Sequence, residues 1–120
     1  MAQVKRDVSK VIQELIFESL KREDARLNEL SAEALTVLGT NIMHTLVGEV
    51  LASRRRNYRL RLLNIIAEIG HIPDPADHMD LFTLAHDVDP RIRAAAASTI
   101  YAVGPHSDRK HATPQEATAS

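Results

Sequence analysis

Apolar residues recur at three- and four-residue steps along most of this chain, and this helical period governs every other expectation for its fold. Between Val4 and Leu20, apolar and charged residues follow that period, which predicts an amphipathic helix of about five turns. Further apolar sets with the same spacing follow at 27–51, 60–69, 79–85 and 92–103. No clear run has the two-residue period of a strand, so we predict a single all-α domain over residues 1–104.

Prolines and glycines mark where these helices end. Pro73-Asp74-Pro75 must be a connection, because proline removes a backbone donor and disfavours helix at the residue before it. Asp89-Pro90 predicts the start of the last helix, with Asp as the N-cap and Pro at the first helical position. Gly104-Pro105 predicts its end. Residues 105–120 carry almost no apolar side chain except alanine, which predicts a flexible, disordered tail.

Three predicted helix ends share one sequence pattern, which ends at Gly39, Gly70 and Gly104. In each, two large apolar residues stand three positions apart, and glycine directly follows the second. These glycines are 31 and then 34 residues apart, and Arg59 and Arg93 each precede their glycine by 11 residues. The pattern predicts a repeated helix–turn–helix unit that ends in glycine. In the alternative interpretation, Gly39 lies within one long helix over 31–54, and the first unit is not a repeat.

The last of these units resembles a HEAT repeat. The family pattern of an Asp-x-Asp-Pro turn, an Arg-x-Ala-Ala helix and an apolar-Gly ending falls on Asp87, Asp89, Pro90, Ile92, Arg93, Ala95, Ala96, Val103 and Gly104. The preceding unit matches the family at Arg59, Leu62, Leu63, Ile66, Ile69 and Gly70, but has Arg55-Arg56 where the family has Asp-Pro. The resemblance therefore covers residues 42–104.

The resemblance implies a short right-handed α-solenoid of two to three HEAT-like hairpins, with the N-terminal helix capping one end. In HEAT proteins, Asp and Arg side chains of this turn stack between repeats. The resemblance therefore implies that Asp89 and Arg93 form an inter-repeat ladder and cap helices, and that Arg59 belongs to the same ladder. The residues agree, because Asp89 can cap its own helix and Arg93 can reach a nearby carboxylate or turn carbonyl. The end after Gly104 is uncovered, which makes it a place for a partner or a second copy.

Five arginines within eight residues form the most conspicuous charge cluster: Arg54, Arg55, Arg56, Arg59 and Arg61. Guanidinium groups bind carboxylates and phosphates in bidentate fashion, so the cluster predicts an anion site or a contact with an acidic partner. In the alternative interpretation, Arg54 to Arg56 end the preceding helix and Arg59 belongs to the ladder. Acidic protein is preferred to nucleic acid, because the net charge is −1 and only Tyr58 offers a stacking surface.

Other titratable groups predict less. Segment 73–104 carries a charge of −3 and segment 31–72 carries +2, which suits either head-to-tail association or ordinary capping. None of the six histidines has the i, i+4 spacing of a helical metal site, although His71, Asp74 and His78 are candidates to converge at the proline turn. We therefore predict neither a metal nor a cofactor.

The function predicted from sequence is a non-catalytic protein–protein interaction module, an adaptor or scaffold of HEAT type. The chain has no cysteine and no nucleophile, phosphate-loop or metalloprotease motif, which argues against an enzyme. Neither a signal peptide nor a membrane span is recognised, so a cytoplasmic location without membrane contact is expected. Two alternatives are a nucleic-acid-binding accessory factor that uses Arg54 to Arg61, and a structural element that dimerises through a solenoid end.

Overall fold

The computed structural model describes residues 2–104, with side chains from residue 9 onward. Helices in this part of the chain are α1 (Ala2–Lys21), α2 (Ala25–Leu38), a 3₁₀ turn (Gly39–Ile42), α3 (Met43–Ala52), α4 (Arg56–Ile69), α5 (Pro75–Leu84) and α6 (Pro90–Val103). No strand occurs between residues 2 and 104, so the all-α prediction is confirmed. The predicted tail, 105–120, lies outside the described residues.

Short side chains and glycines set the helix boundaries as their chemistry requires. The carboxylates of Asp24, Asp74 and Asp89 accept hydrogen bonds from the first backbone amides of α2, α5 and α6. Gly39, Gly70 and Gly104 end α2, α4 and α6 with φ of 61°, 79° and 71°. A residue that carries a β-carbon rarely adopts these backbone angles, which explains why glycine ends each of these three helices.

The helices pack as three successive hairpins, α1 with α2, α3 with α4, and α5 with α6. Their second helices lie side by side, α2 against α4 and α4 against α6, while α3 contacts α5. Two links show that α4 and α6 run in parallel: Arg56 bonds Asp89 near the start of both helices, and the Thr99 hydroxyl donates to the Leu63 carbonyl further along. Both pairs of equivalent helices in the second and third hairpins are therefore in contact, whereas α1 contacts α4.

Helix α4 is central to the core, because it contacts α1, α2, α3 and α6. Its residues Leu62, Leu63 and Ile66 are completely buried. Tyr58 is also buried, and its hydroxyl donates a hydrogen bond of 2.5 Å to Glu49 on α3. Burial and this bond raise the pKa of Tyr58 far above its ordinary range, so the hydroxyl stays a donor.

Gly39 breaks the longest apolar stretch. Residues Ala25–Ala52 are long and apolar enough to cross a membrane by length and composition alone, and an 18-residue window within them has a mean hydropathy of 1.3. Gly39, with φ 61° and ψ −139°, divides this stretch into helices of 14 and 10 residues joined by the 3₁₀ turn. Each is shorter than the roughly 20 residues that a membrane-spanning helix needs. The interpretation of 31–54 as one continuous helix is therefore wrong.

Candidate interaction surfaces

The five arginines of the cluster do not converge on one site. Arg56 Nε donates to Asp89 Oδ2 at 2.6 Å, and Arg59 Nε donates to the Val50 carbonyl at 3.0 Å. Arg59 also lies 3.7 Å from a carboxylate oxygen of Asp87. These two side chains therefore hold α4 to the end of α3 and to the turn before α6.

Arg61 points to a different part of the molecule. Its Nη1 donates to the Leu20 carbonyl at 3.0 Å, and its Nη2 donates to Glu23 at 2.7 Å. Arg61 therefore satisfies a carbonyl at the C-terminal end of α1 and joins that end to α4. Three of the five arginines, Arg56, Arg59 and Arg61, are used inside the fold.

Arg54 and Arg55 are exposed, and their side chains make none of these links. Helix α3 ends at Ala52, so both lie in the connection to α4, and the alternative that Arg54 to Arg56 end the preceding helix is wrong. Within the described side chains, neither guanidinium lies within 4 Å of a carboxylate. Because Tyr58 is buried, it offers no stacking surface beside them.

Asp89 and Arg93 occupy the turn between α5 and α6. Asp89 caps α6 by accepting from the Arg91 amide at 2.9 Å, and it also binds Arg56 across the hairpin boundary. The Arg56 hydrogen bond holds the pKa of Asp89 below its ordinary value. Arg93 Nη1 donates to the carbonyls of Asp87 and Val88 within its own turn. Asp89 and Arg59 thus link neighbouring hairpins, whereas Arg93 stabilises the turn of its own hairpin.

An apolar surface missed by the sequence analysis lies on the outer side of the α1–α2 hairpin. Its large side chains are about half exposed, with exposed fractions of 50% at Val11, 51% at Ile12, 60% at Leu15 and 45% at Leu30. A groove of about 260 Å³ runs between the helices, lined by residues at i, i+3, i+4 and i+7 of each: Ile12, Leu15, Ile16 and Ser19 on α1, and Leu27, Leu30, Ser31 and Ala34 on α2. We call this the α1–α2 apolar face.

Positive charge lies beside the α1–α2 apolar face. Glu18, one turn after Leu15, accepts a hydrogen bond from Lys21 Nζ at 2.9 Å. This bond is the largest cause that lowers the pKa of Glu18, and the nearby charges of Arg55 and Arg22 contribute. The charge of Arg55 therefore acts on Glu18 of α1, one turn from Leu15 of the apolar face.

A second cluster that the sequence analysis missed joins α3 to α5. His44 Nδ1 donates to the Asp77 carboxylate, at 2.9 and 3.2 Å from its two oxygens. The His44 side chain is 84% exposed, whereas the Asp77 side chain is 3% exposed. The hydrogen bond and charge of Asp77 raise the pKa of His44. Asp74, which caps α5, is the third member of this cluster. One imidazole nitrogen of His44 and one carboxylate oxygen each of Asp74 and Asp77 all lie within 4.8 Å of one another.

The predicted convergence of His71, Asp74 and His78 is only partly realised, because Asp74 groups with His44 and Asp77 instead. His78 is buried, its Nε2 donates to the Gly104 carbonyl at 3.0 Å, and its ring packs on Phe82. It therefore fastens α5 to the C-terminal end of α6.

Comparison with known protein families, with curated proteins and with solved structures finds no match to the chain. The likeness of residues 42–104 to a HEAT repeat therefore stays a prediction from their sequence.

Proposed function

We propose that the chain is a non-catalytic protein-interaction module built from stacked HEAT-type hairpins, and that it acts in the cytoplasm. Its contact surface is the α1–α2 apolar face together with Arg54 and Arg55. The partner that fits this surface is an amphipathic protein segment with an apolar stripe and acidic side chains. The observation that carries the proposal is the exposed apolar face of α1 and α2, with the charge of Arg55 acting on Glu18 of α1 beside it.

Contacts between equivalent positions support the stacked arrangement. His44 bonds Asp77 and Arg56 bonds Asp89, and each pair is separated by 33 residues, close to the 34-residue spacing of the last two unit-ending glycines. In a solenoid, each repeat contacts its neighbours, so residues one period apart face each other. A right-handed stack of three hairpins is the arrangement that we propose for this chain.

The chemistry of the surface supports the choice of partner. Contiguous exposed apolar patches bordered by polar residues are typical of protein interaction sites. A groove between two helices that each present residues at i, i+3, i+4 and i+7 accepts the apolar face of a third helix. Arg54 and Arg55 add attraction for carboxylates, which selects acidic segments over basic ones.

Capture of partners from source lysate, with and without nuclease, tests this proposal. We expect a protein to be retained after nuclease, and its affinity to fall roughly tenfold or more for Leu15→Glu and for Arg54→Glu/Arg55→Glu. Arg56 is left intact because it binds Asp89, and its loss would disturb the fold. Circular dichroism should give wild-type helicity for both variants.

Two matched controls give these results their meaning. Val88→Glu places the same charge on a side chain that is 92% exposed in the α5–α6 turn, and Lys10→Glu/Arg91→Glu makes the same change in net charge at two other exposed positions. Both controls should bind the partner as the wild type does. A partner lost equally in the controls and in the test variants would contradict the proposed surface.

The remaining outcomes distinguish the alternatives. Recovery of nucleic acid alone would favour an accessory factor, and log K would then fall with log salt by about 0.9 for each phosphate contact. A dimer in light scattering that Leu15→Glu dissociates would show that the apolar face binds a second copy of the chain. Either result would replace the acidic partner segment.

A further inference from the structure

We propose that His44, Asp74 and Asp77 bind one divalent transition-metal ion, with Zn²⁺ as the representative ion. The three residues come from two helices in neighbouring hairpins: His44 from the first turn of α3, and Asp74 and Asp77 from the start of α5. Imidazole nitrogen and carboxylate oxygen are both ordinary ligands of Zn²⁺. An ion at this position would fasten the second hairpin to the third.

The geometry suits a single ion. Zn²⁺ bonds its nitrogen and oxygen ligands at roughly 2.0–2.2 Å, so neighbouring ligands on one ion are roughly 3–3.5 Å apart. His44 Nδ1 lies 2.9 and 3.2 Å from the two Asp77 oxygens, so rotation of the exposed imidazole is enough to turn its Nδ1 from these oxygens to an ion that they share. Asp74 is exposed and uses Oδ1 to cap α5, which leaves its second oxygen to bind the ion after a small shift.

Burial of Asp77 is the independent observation that points to a bound cation. Its side chain is 97% buried, and both of its oxygens face His44. A buried carboxylate without a compensating positive charge is costly. A divalent ion bound at the cluster supplies such a charge directly.

The exposure of the cluster fits a bound ion that keeps solvent ligands. His44 is 84% exposed, so the side of the site that faces away from Asp77 is open to water, which can fill the remaining coordination positions. The N-terminal end of α5 opposes a cation with roughly half a positive charge. The two carboxylates carry two full negative charges at the same place, so attraction of the cation prevails.

Isothermal titration calorimetry of the full chain with Zn²⁺, in a buffer that does not chelate zinc, tests the site. We expect one ion bound per chain at this site and an affinity at least roughly tenfold lower for His44→Ala. Because the His44 side chain is largely exposed, its removal opens no cavity in the core, and circular dichroism should show that His44→Ala keeps the wild-type helicity. Asp77→Asn keeps the shape of the buried side chain and should lower the affinity similarly. Zn²⁺ should also raise the Tm of the wild type but not of His44→Ala.

Other histidines provide the controls. His86→Ala removes an exposed imidazole from the α5–α6 turn, and His106→Ala/His111→Ala removes the two histidines of 105–120. Both should bind Zn²⁺ as the wild type does. Absence of Zn²⁺ binding by the wild type, unchanged binding by His44→Ala, or loss of binding in the His106→Ala/His111→Ala variant would overturn the proposal. The interaction surface and this cluster share no residue, so either proposal can fail without the other.

Discussion

Leucine substitutions in the alanine run of α6 test how closely α4 and α6 approach each other. Ala94, Ala95 and Ala96 are consecutive and chemically identical, yet their environments differ. Ala94 is exposed, Ala95 lines a groove of about 330 Å³ between α4 and α6, and Ala96 is completely buried. Leucine adds the same three carbon atoms at each position, so any difference among the variants reports on packing.

Ala96→Leu should lower the free energy of unfolding by about 1–3 kcal/mol. The added carbons have no free space at a side chain that is 0% exposed, so α6 must move or neighbouring rotamers must distort. Ala94→Leu should change stability by less than about 0.5 kcal/mol, because alanine and leucine have similar helix propensities and the side chain is in solvent. Ala95→Leu should also be tolerated, since the groove can receive its side chain.

Urea unfolding followed by circular dichroism measures these differences. We expect a lower midpoint for Ala96→Leu with an unchanged m-value, and a Tm lower by roughly 4–8 °C for each kcal/mol lost. Equal stability of all three variants would refute the close packing of α6 on the core. A loss at Ala94 but not at Ala96 would show that the helix is rotated relative to its arrangement here.

Three further predictions concern individual turns and links. Gly48 is exposed within α3 with open space at its α-carbon, so Gly48→Ala should stabilise the protein by about 1 kcal/mol. Gly70→Ala should destabilise it, because φ is 79° at that position. Thermal unfolding should therefore show Tm shifts of opposite sign for the two variants. The lowered pKa of Asp89 contributes folding stability that is present above pH 3.8, the ordinary pKa of the group, and is lost as the pH falls toward the lowered pKa. Arg56→Ala should remove this contribution, which acid unfolding curves would measure. Identical acid unfolding of the wild type and Arg56→Ala would contradict the prediction. Asn28 Nδ2 donates to three carbonyls at the end of α1, so Asn28→Asp should cost about 1–3 kcal/mol in urea unfolding, and a neutral result would remove that role.

Local signals in the sequence were sufficient to predict the helix ends. Glycine followed by proline at Gly104 and Asp followed by Pro at Asp89 have one dominant structural use each, and the structure confirms that α6 begins after Asp89 and ends at Gly104. Asp74, predicted only as part of a connection, caps α5. Asp24, which the sequence analysis did not single out, caps α2 in the same manner. Its neighbours Arg22 and Glu23 hid the cap, because a run of charges is compatible with any exposed turn.

The partners of charged side chains depend on the stacking of hairpins, which local spacing does not report. Arg61 reaches a carboxylate 38 residues away, and Arg56 reaches one at 33 residues, so the apparent arginine cluster is divided between two sides of α4. A search for histidine ligands at i, i+4 likewise passes over a cluster whose members are one repeat apart. His44 and Asp77 are 33 residues apart, close to the 34-residue spacing of the last two unit-ending glycines, although a shift by 34 places would pair His44 with His78 instead. Zinc titration of the three-residue cluster on α3 and α5 therefore decides whether nearly equivalent positions of neighbouring hairpins form a ligand site in this chain.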